Sequence, residues 1–158
     1  DCVSNVFGNR NDFAAEESNI TTIGYEGKTI DEFLNELIKN KIDILIDVRR
    51  NPYSLKFGFK KNLLKNYLEK LEIEYIHMPE LGIPSKDRKN LRDSADYQNL
   101  FEMYKKNIEN KHDILFKIKD ISETKKISLM CFEKDVRLCH RGILADLLRQ
   151  YGSEVVNL

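Results

Sequence analysis

A chain of 158 residues, 41% of them hydrophobic, is long enough to bury one real core and is neither disordered nor membrane-embedded in character. Basic and acidic residues balance at 26 each, yet they are unevenly spread. No apolar run approaches the roughly 18–20 residues of a transmembrane helix, and the opening DCVSNVFGNRNDF lacks the basic and apolar regions of a signal peptide.

Residues 1–18 carry Arg10 against Asp1, Asp12, Glu16 and Glu17, a local net of −3, with many turn formers and no sustained period. They read as a mobile acidic tail ahead of a single domain over 19–158. ITTIGY (20–25) is a short β-prone run ending at glycine. Thr29 and Glu32 then make a capping-box pair before the helical stripe Ile30, Phe33, Leu34, Leu37 and Ile38. IDILIDV (42–48) is nearly all apolar, as a strand buried on both faces should be.

Segment 49–70, RRNPYSLKFGFKKNLLKNYLEK, holds seven basic residues against Glu69, so the neutral total hides a basic patch of net +6. Its second half, with Leu63, Leu64, Tyr67, Leu68 and Leu71, predicts an amphipathic helix, and IEYIH (73–77) a third strand. ELGIPSKDRKNLRDSAD (80–96) is a polar loop too long to be a mere connector, and such loops are often functional. Tyr97, Leu100, Phe101, Tyr104 and Ile108 give a helix and HDILFKIKDI another. KISLMC (126–131) is the fourth strand. Ile143, Leu144, Leu147, Leu148 and Tyr151 form the last helix, stopped by Gly152, and EVVNL is the fifth strand. Strand and helix alternate throughout. The expected fold is α/β: one three-layer domain with a mostly parallel sheet of about five strands and helices on both faces.

In open parallel sheets, ligands bind beyond the carboxyl ends of the strands. After the first strand that edge receives Tyr25, Glu26, Gly27 and Lys28; after the second, Asp47, Arg49 and Arg50; after the third, His77 and Glu80. After the fourth comes CFEKDVRLCHR, with Cys131, Glu133, Arg137, Cys139 and His140. Three cysteines, including Cys2, are a low, odd count that argues against a disulfide framework. A reducing cytoplasm is expected, with Cys131 and Cys139 as thiols or thiolates.

Four chemistries compete for this edge. GYEGKT resembles a phosphate loop, but only two residues separate Gly24 from Gly27 where the true motif needs four, and Glu26 would repel phosphate. A glycine turn followed by a capped helix accounts for it better, and no nucleotide-cofactor motif is present. Cys131 to Arg137 fits the C-x5-R spacing of phosphatase and rhodanese loops, yet Glu133 and Asp135 would oppose a dianion. The types Cys131, Cys139 and His140, with His77 or Glu133, suit zinc. The C-x7-C-H spacing is not a finger spacing, and adjacent Cys139 and His140 should point apart on a helix, so zinc is not favoured and no metal ligand is assigned. The preferred reading is nucleophilic or acid–base chemistry by Cys131 or Cys139 with Glu133, Asp47 or His140. A cysteine at a helix N-terminus favours thiolate, and an aspartate beside an arginine can position a substrate or accept a proton. The bland rival is a structural cluster of buried cysteines and an Asp–Arg tie.

TIGYEGKTIDEFLNEL, IDILIDVRRNPYS, IEYIHMPELG and LMCFEKDVRLCHRGILADLL together resemble the bacterial and archaeal domain of unknown function 488 family, over about residues 20–158. The resemblance rests on D-V-R after the second strand, the P-E-L-G turn, and C-x-E followed by C-H-R. It implies no reaction, but it singles out Gly24, Asp47, Arg49, Pro52, Leu81 and Gly82. From the last motif it adds Cys131, Glu133, Cys139, His140 and Arg141.

The functional expectation is an enzyme acting on a phosphate-bearing or nucleic-acid-derived substrate. Arg49, Arg50, Tyr53, His77, Glu80 and Arg141 would bind it, and Asp47, Cys131, Glu133, Cys139 and His140 would supply the chemistry. One alternative is a non-catalytic nucleic-acid-binding module. In it Tyr53, Phe57 and Phe59, interleaved with Arg50, Lys56 and Lys60, would stack bases and contact phosphates. Another is a metal-stabilised structural domain. No membrane partner is expected.

Overall fold

A computed structural model describes residues 18–89 and 91–158. The expected tail over 1–17 lies outside the described residues. Ser18 belongs to the domain: it is buried, and its hydroxyl lies 2.9 Å from the Ile20 carbonyl and 2.7 Å from that of Glu154.

Five strands, β1 (Ile20–Gly24), β2 (Ile44–Asp47), β3 (Glu74–His77), β4 (Ile127–Cys131) and β5 (Val155–Asn157), form one sheet in the order β3-β2-β4-β1-β5. Every pairing is parallel. Two core clusters occupy its two faces. On one, α1 (Ile30–Lys39) buries Phe33 and Leu37, and α2 (Lys61–Lys70) buries Leu64 and Leu68. On the other, α3 (Ser94–Glu109), α4 (His112–Ser122) and α5 (His140–Gln150) pack through Leu100, Ile108, Leu115, Ile118 and Leu144. The strands alternate between the clusters: Ile44 and Ile46 face one, and Leu45 faces the other. This two-sided burial is why ILID and ISLMC carry apolar residues at consecutive positions. Among the described residues, no helix is long and apolar enough to cross a membrane.

GYEGKT is a turn and a capped helix start. Gly27 takes a left-handed φ of 77°, Thr29 accepts the Glu32 amide, and Glu32 accepts the Thr29 amide in return. The 80–96 stretch is more built than a polar loop. It opens with two 3₁₀ turns, Pro79–Leu81 and Ser85–Arg88, and Leu81, Gly82 and Ile83 are buried. Gly82 is needed because a Cβ there would run into the backbone of Arg50.

The chain leaves β2 for β3 at one side of the sheet and leaves β4 for β5 at the other. Adjacent strands whose connections diverge leave a crevice at their carboxyl ends. Here the loops after β2 and β4 flank it. At β1, the Tyr25 amide donates to the Cys131 carbonyl at 3.2 Å and the Glu26 amide to Phe132 at 2.8 Å, so the β1 and β4 loops run locked together. Gly24 makes that approach feasible, since a Cβ would collide with the Glu133 carbonyl. Gly24→Ala should therefore lower stability by about 1–3 kcal/mol in urea unfolding, the scale of overpacking a filled site. An unchanged midpoint would mean that the two loops do not touch there.

Candidate functional site

The crevice holds a cavity of about 310 Å³. Its walls come from Tyr25 after β1, Arg49, Arg50 and Tyr53 after β2, Arg88 from the second 3₁₀ turn, and Cys131, Glu133 and His140. A smaller cavity of about 130 Å³ adjoins it and shares Arg88, Glu133 and His140, adding Cys139.

Strand parity divides the chemistry between the two faces. Asp47 pairs in register with Met130, so it projects with Met130 toward α1 and α2, whereas Cys131 projects toward α5. On its own face the fully buried Asp47 carboxylate is occupied. It accepts the Arg49 amide at 3.0 Å, Arg49 Nε at 2.9 Å and Nη2 at 2.7 Å, and the Tyr75 hydroxyl at 2.6 Å. Arg49 in turn donates Nη1 to the Phe59 carbonyl at 2.7 Å and to the Tyr25 hydroxyl at 3.3 Å. Burial works against the Arg49 charge, but the hydrogen bonds and charge of Asp47 outweigh it and hold its pKa above the ordinary value. Burial and the adjacent Asp47 push the Tyr75 phenol up as well. Removing one partner of such a buried pair typically costs ~3–5 kcal/mol. Asp47 is thus placed to hold Arg49 and the loop after β2, not to take a proton from Cys131.

On the α5 face the loop between Cys131 and Cys139 is fastened from beneath. Arg141, fully buried, donates Nη1 to Thr22 Oγ1 at 2.5 Å and Nη2 to the carbonyls of Glu133 and Lys134, both at 2.9 Å. Burial lowers its pKa to about 10, so it stays charged at neutral pH. Glu26 adds a side-chain bond to the Lys134 amide at 3.1 Å.

Cys139 is the N-cap of α5, with its sulfur 3.5 Å from the Arg141 amide that donates to it. An N-cap sulfur faces unpaired backbone N–H groups and the positive end of the helix dipole, and both favour thiolate. Because Cys139 has extended backbone (φ −133°, ψ 142°), the expectation that adjacent Cys139 and His140 point apart does not hold. His140 Nδ1 lies 3.8 Å from Cys139 Sγ. Its Nε2 is 3.2 Å from the Val48 carbonyl. A carbonyl only accepts, so Nε2 carries the hydrogen and Nδ1 presents its lone pair to the sulfur. Burial pushes the His140 pKa down to about 4, against the pull of that carbonyl.

The sulfurs of Cys131 and Cys139 meet in a disulfide, against the expectation of two separate thiols, across a Cα–Cα distance of 7.7 Å. The seven-residue loop and the extended cap at Cys139 fold the second sulfur back onto the end of β4. The Glu133 carboxylate joins them, so that the three side chains bring their ligating atoms within 4.8 Å of one another.

Of the eleven residues expected to bind substrate or supply the chemistry, Arg49, Arg50, Tyr53, Cys131, Glu133 and His140 line the main cavity, and Cys139 lines the adjoining one. Four are elsewhere. Asp47 lies beneath Arg49, and Arg141 lies beneath the loop. His77 has Nε2 against the Arg49 carbonyl at 2.7 Å, and exposed Glu80 opens onto a separate cavity between the first 3₁₀ turn and α3. Arg137 forms no anion loop with Cys131: its guanidinium pairs with Asp135 at 2.7 Å on the surface. Phe59 cannot stack a base, because it is fully buried between Tyr25 and Phe33. Arg88 is the charged cavity residue that sequence reasoning did not name. The length and polarity of the 80–96 segment pointed to its loop, but nothing local marks this arginine among Lys86, Arg88, Lys89 and Arg92.

A parallel α/β sheet with cysteines, arginines and a glutamate at its diverging carboxyl edge defines the class of domain. The model of the family described as Domain of unknown function DUF488 matches residues 29–148, and the chain belongs to that family. No curated protein and no solved structure matches it.

The depressed His140 pKa predicts a pH dependence of stability. His140 is neutral in the fold down to about pH 4, while the unfolded chain takes up that proton near the ordinary value of about 6.5. The unfolded state binds more protons between those values, so stability is full above about 6.5 and falls as pH drops toward 4. The loss is on the order of 3 kcal/mol. Urea unfolding of the chelator-treated protein from pH 7 to 4 should show a slope that His140→Gln flattens. Equal slopes would place His140 in water.

Proposed function

We propose that this chain is an enzyme acting on a small phosphate-bearing substrate bound in the main cavity. Arg50 and Arg88 hold the anion, and the group formed by Cys131, Glu133 and Cys139 supplies the chemistry. The observation that carries this reading is the meeting, in one cavity, of two exposed arginines with buried Cys131 and half-buried Glu133, while Cys139 lines the adjoining cavity. Neither arginine has a salt bridge among the described residues. Arg49 contributes a third guanidinium, fixed by Asp47, whose positive charge is balanced locally. Catalysis by Asp47 receives no support from its position on the other face, so its role is to position Arg49. The cavity volume sits at the low end of small-molecule sites, which run from about 300 to 1,000 Å³, and so favours a compact ligand.

Isothermal titration with inorganic phosphate, pyrophosphate and a nucleoside monophosphate tests it. At least one should saturate, and Arg50→Ala or Arg88→Ala should each weaken that binding by about ten- to a hundredfold, the worth of a charge-assisted hydrogen bond. Glu133→Gln should leave anion binding in place while removing turnover of the substrate. Absence of saturable binding, or binding indifferent to both arginines, would sink the proposal.

A second reading has its own observation. Tyr53, Leu55 and Phe57 are exposed by 55%, 90% and 70% beside Arg50, Lys56 and Lys60, as a surface for stacking bases would be. On that reading single-stranded nucleic acid binds with a steep salt dependence, because phosphate contacts release counterions. Replacing Arg50, Lys56 and Lys60 together by glutamine should shrink the slope of log affinity against log salt. No binding at low salt would leave the segment a solvated basic surface.

A further inference from the structure

We propose that, when their disulfide is reduced, Cys131, Glu133 and Cys139 form a zinc-binding site, with its fourth coordination position open toward the arginine-lined cavity. The first support is the convergence itself. Two sulfurs and a carboxylate gather their ligating atoms within 4.8 Å, with both cysteines buried and Glu133 half-buried. The Glu133 carboxylate makes no hydrogen bond or salt bridge among the described residues. The nearby guanidinium of Arg141 binds the Glu133 backbone carbonyl instead. Once the disulfide is reduced, two thiolates and a carboxylate packed this closely repel one another, and a divalent cation between them turns that repulsion into coordination.

Backbone spacing is the second support. Cysteines are ordinarily bridged at Cα separations of ~4.4–6.8 Å, and pairs beyond ~7 Å need the backbone to move. Cys131 and Cys139 stand at 7.7 Å. An ion accepting two Zn–S bonds of ~2.3 Å in tetrahedral geometry separates the sulfurs by roughly 3.8 Å and asks for no approach of the two strands of backbone.

The surroundings supply the third. The Arg141 amide and the α5 N-terminus face Cys139 Sγ, so in the reduced protein they favour its thiolate. Arg141 fixes the carbonyls at 133 and 134, so the Glu133 backbone is held in place before any ion arrives. Outer contacts of this kind orient ligands and tune affinity. Soft thiolates select zinc over magnesium or calcium. Three protein ligands with one position left for water or a phosphate oxygen is the arrangement of catalytic rather than structural zinc. The sites on either side agree, since Cys131 and Glu133 line the main cavity and Glu133 and Cys139 the adjoining one.

This site deepens the proposed function but is tested without it. Reduced, tag-free protein carrying Cys2→Ser is stripped with chelator and titrated with zinc against a chromophoric competitor. Binding of about one equivalent is expected, and cobalt should give the charge-transfer and d–d absorption of a tetrahedral thiolate site. Cys131→Ser and Cys139→Ser should lose the cobalt–thiolate band in proportion, and Glu133→Gln should weaken zinc by about tenfold or more. Should a cysteine variant fail to fold, alkylation of the parent protein decides. Zinc should protect both thiols, and chelator should expose them. Arg50→Ala should keep the metal while weakening phosphate, which separates failure of the metal site from failure of the substrate reading. Reduced protein that takes up no zinc, or zinc uptake that leaves both thiols freely alkylated, overturns the proposal.

Discussion

A guanidinium wholly removed from water, with no carboxylate hydrogen-bonded to it, is the constraint on which the cysteine edge depends. Arg141 reaches from the first turn of α5 to Thr22 on β1 and to two carbonyls of the loop after β4. Its Nε finds no partner among the described residues. Burying a charge this way costs several kcal/mol, and it is recovered only because each charge-assisted bond returns about 1.5–3 kcal/mol. The planar fork is what allows one side chain to hold a hydroxyl and two carbonyls at once; a lysine would present a point charge on a flexible stem. Since the Thr22 hydroxyl also bonds Asn157 at 2.5 Å, the same guanidinium ties the edge strand β5, through β1, to the loop that carries Glu133.

On the opposite face the equivalent task falls to an ion pair. Asp47 and Arg49 are locked together within three residues of chain, and Tyr75, Tyr25 and the Phe59 carbonyl satisfy their remaining capacity. A buried pair of this sort contributes less to net stability than to uniqueness of geometry, because desolvation cancels much of the Coulomb gain. What it fixes is the direction of the chain after β2. That direction sets where Arg50 and Tyr53 enter the cavity. The two faces thus carry two rigid brackets, and the crevice is the gap between the loops they hold.

Much of this was legible in the sequence. Alternating apolar strands and amphipathic helices give the α/β class, and the capping box at Thr29 and Glu32 fixes the start of α1. The rule that ligands gather at carboxyl ends put Arg49, Arg50, Cys131, Glu133 and His140 on one edge, and these five do line one cavity. It fails to say which face a side chain takes, and so it grouped Asp47 with the cysteines. Counting from the register Asp47↔Met130 separates them, but the register follows from the strand order β2-β4-β1, which no local pattern reveals. Cys139 and His140 illustrate the opposite error. Helical periodicity drives them apart, yet the residue before a helix is extended, and that one change of φ and ψ brings Sγ and Nδ1 to 3.8 Å. Arg141 read as an edge residue through family likeness, while its wholly internal role depends on Thr22, more than a hundred residues away in the chain.

Charge and size together narrow what the crevice can receive. Exposed Arg50 and Arg88 line it together with Glu133 and Cys131, and Cys139 lines the adjoining cavity. A bare anion would meet attraction from the arginines and repulsion from the carboxylate. On the proposed reading the ligand is divided, with an anionic end toward the arginines and a neutral or electrophilic part toward Glu133. Alternatively, a cation seated among Glu133, Cys131 and Cys139 reverses the sign of the floor and lets a phosphate oxygen approach it. With about 310 Å³ available, a polynucleotide could place only a terminal unit inside, the remainder lying across the exposed Tyr53 and Phe57. If both proposed readings hold, the basic segment and the cysteine group are two parts of one surface, the first attracting phosphate from a distance and the second acting on the single unit that fits.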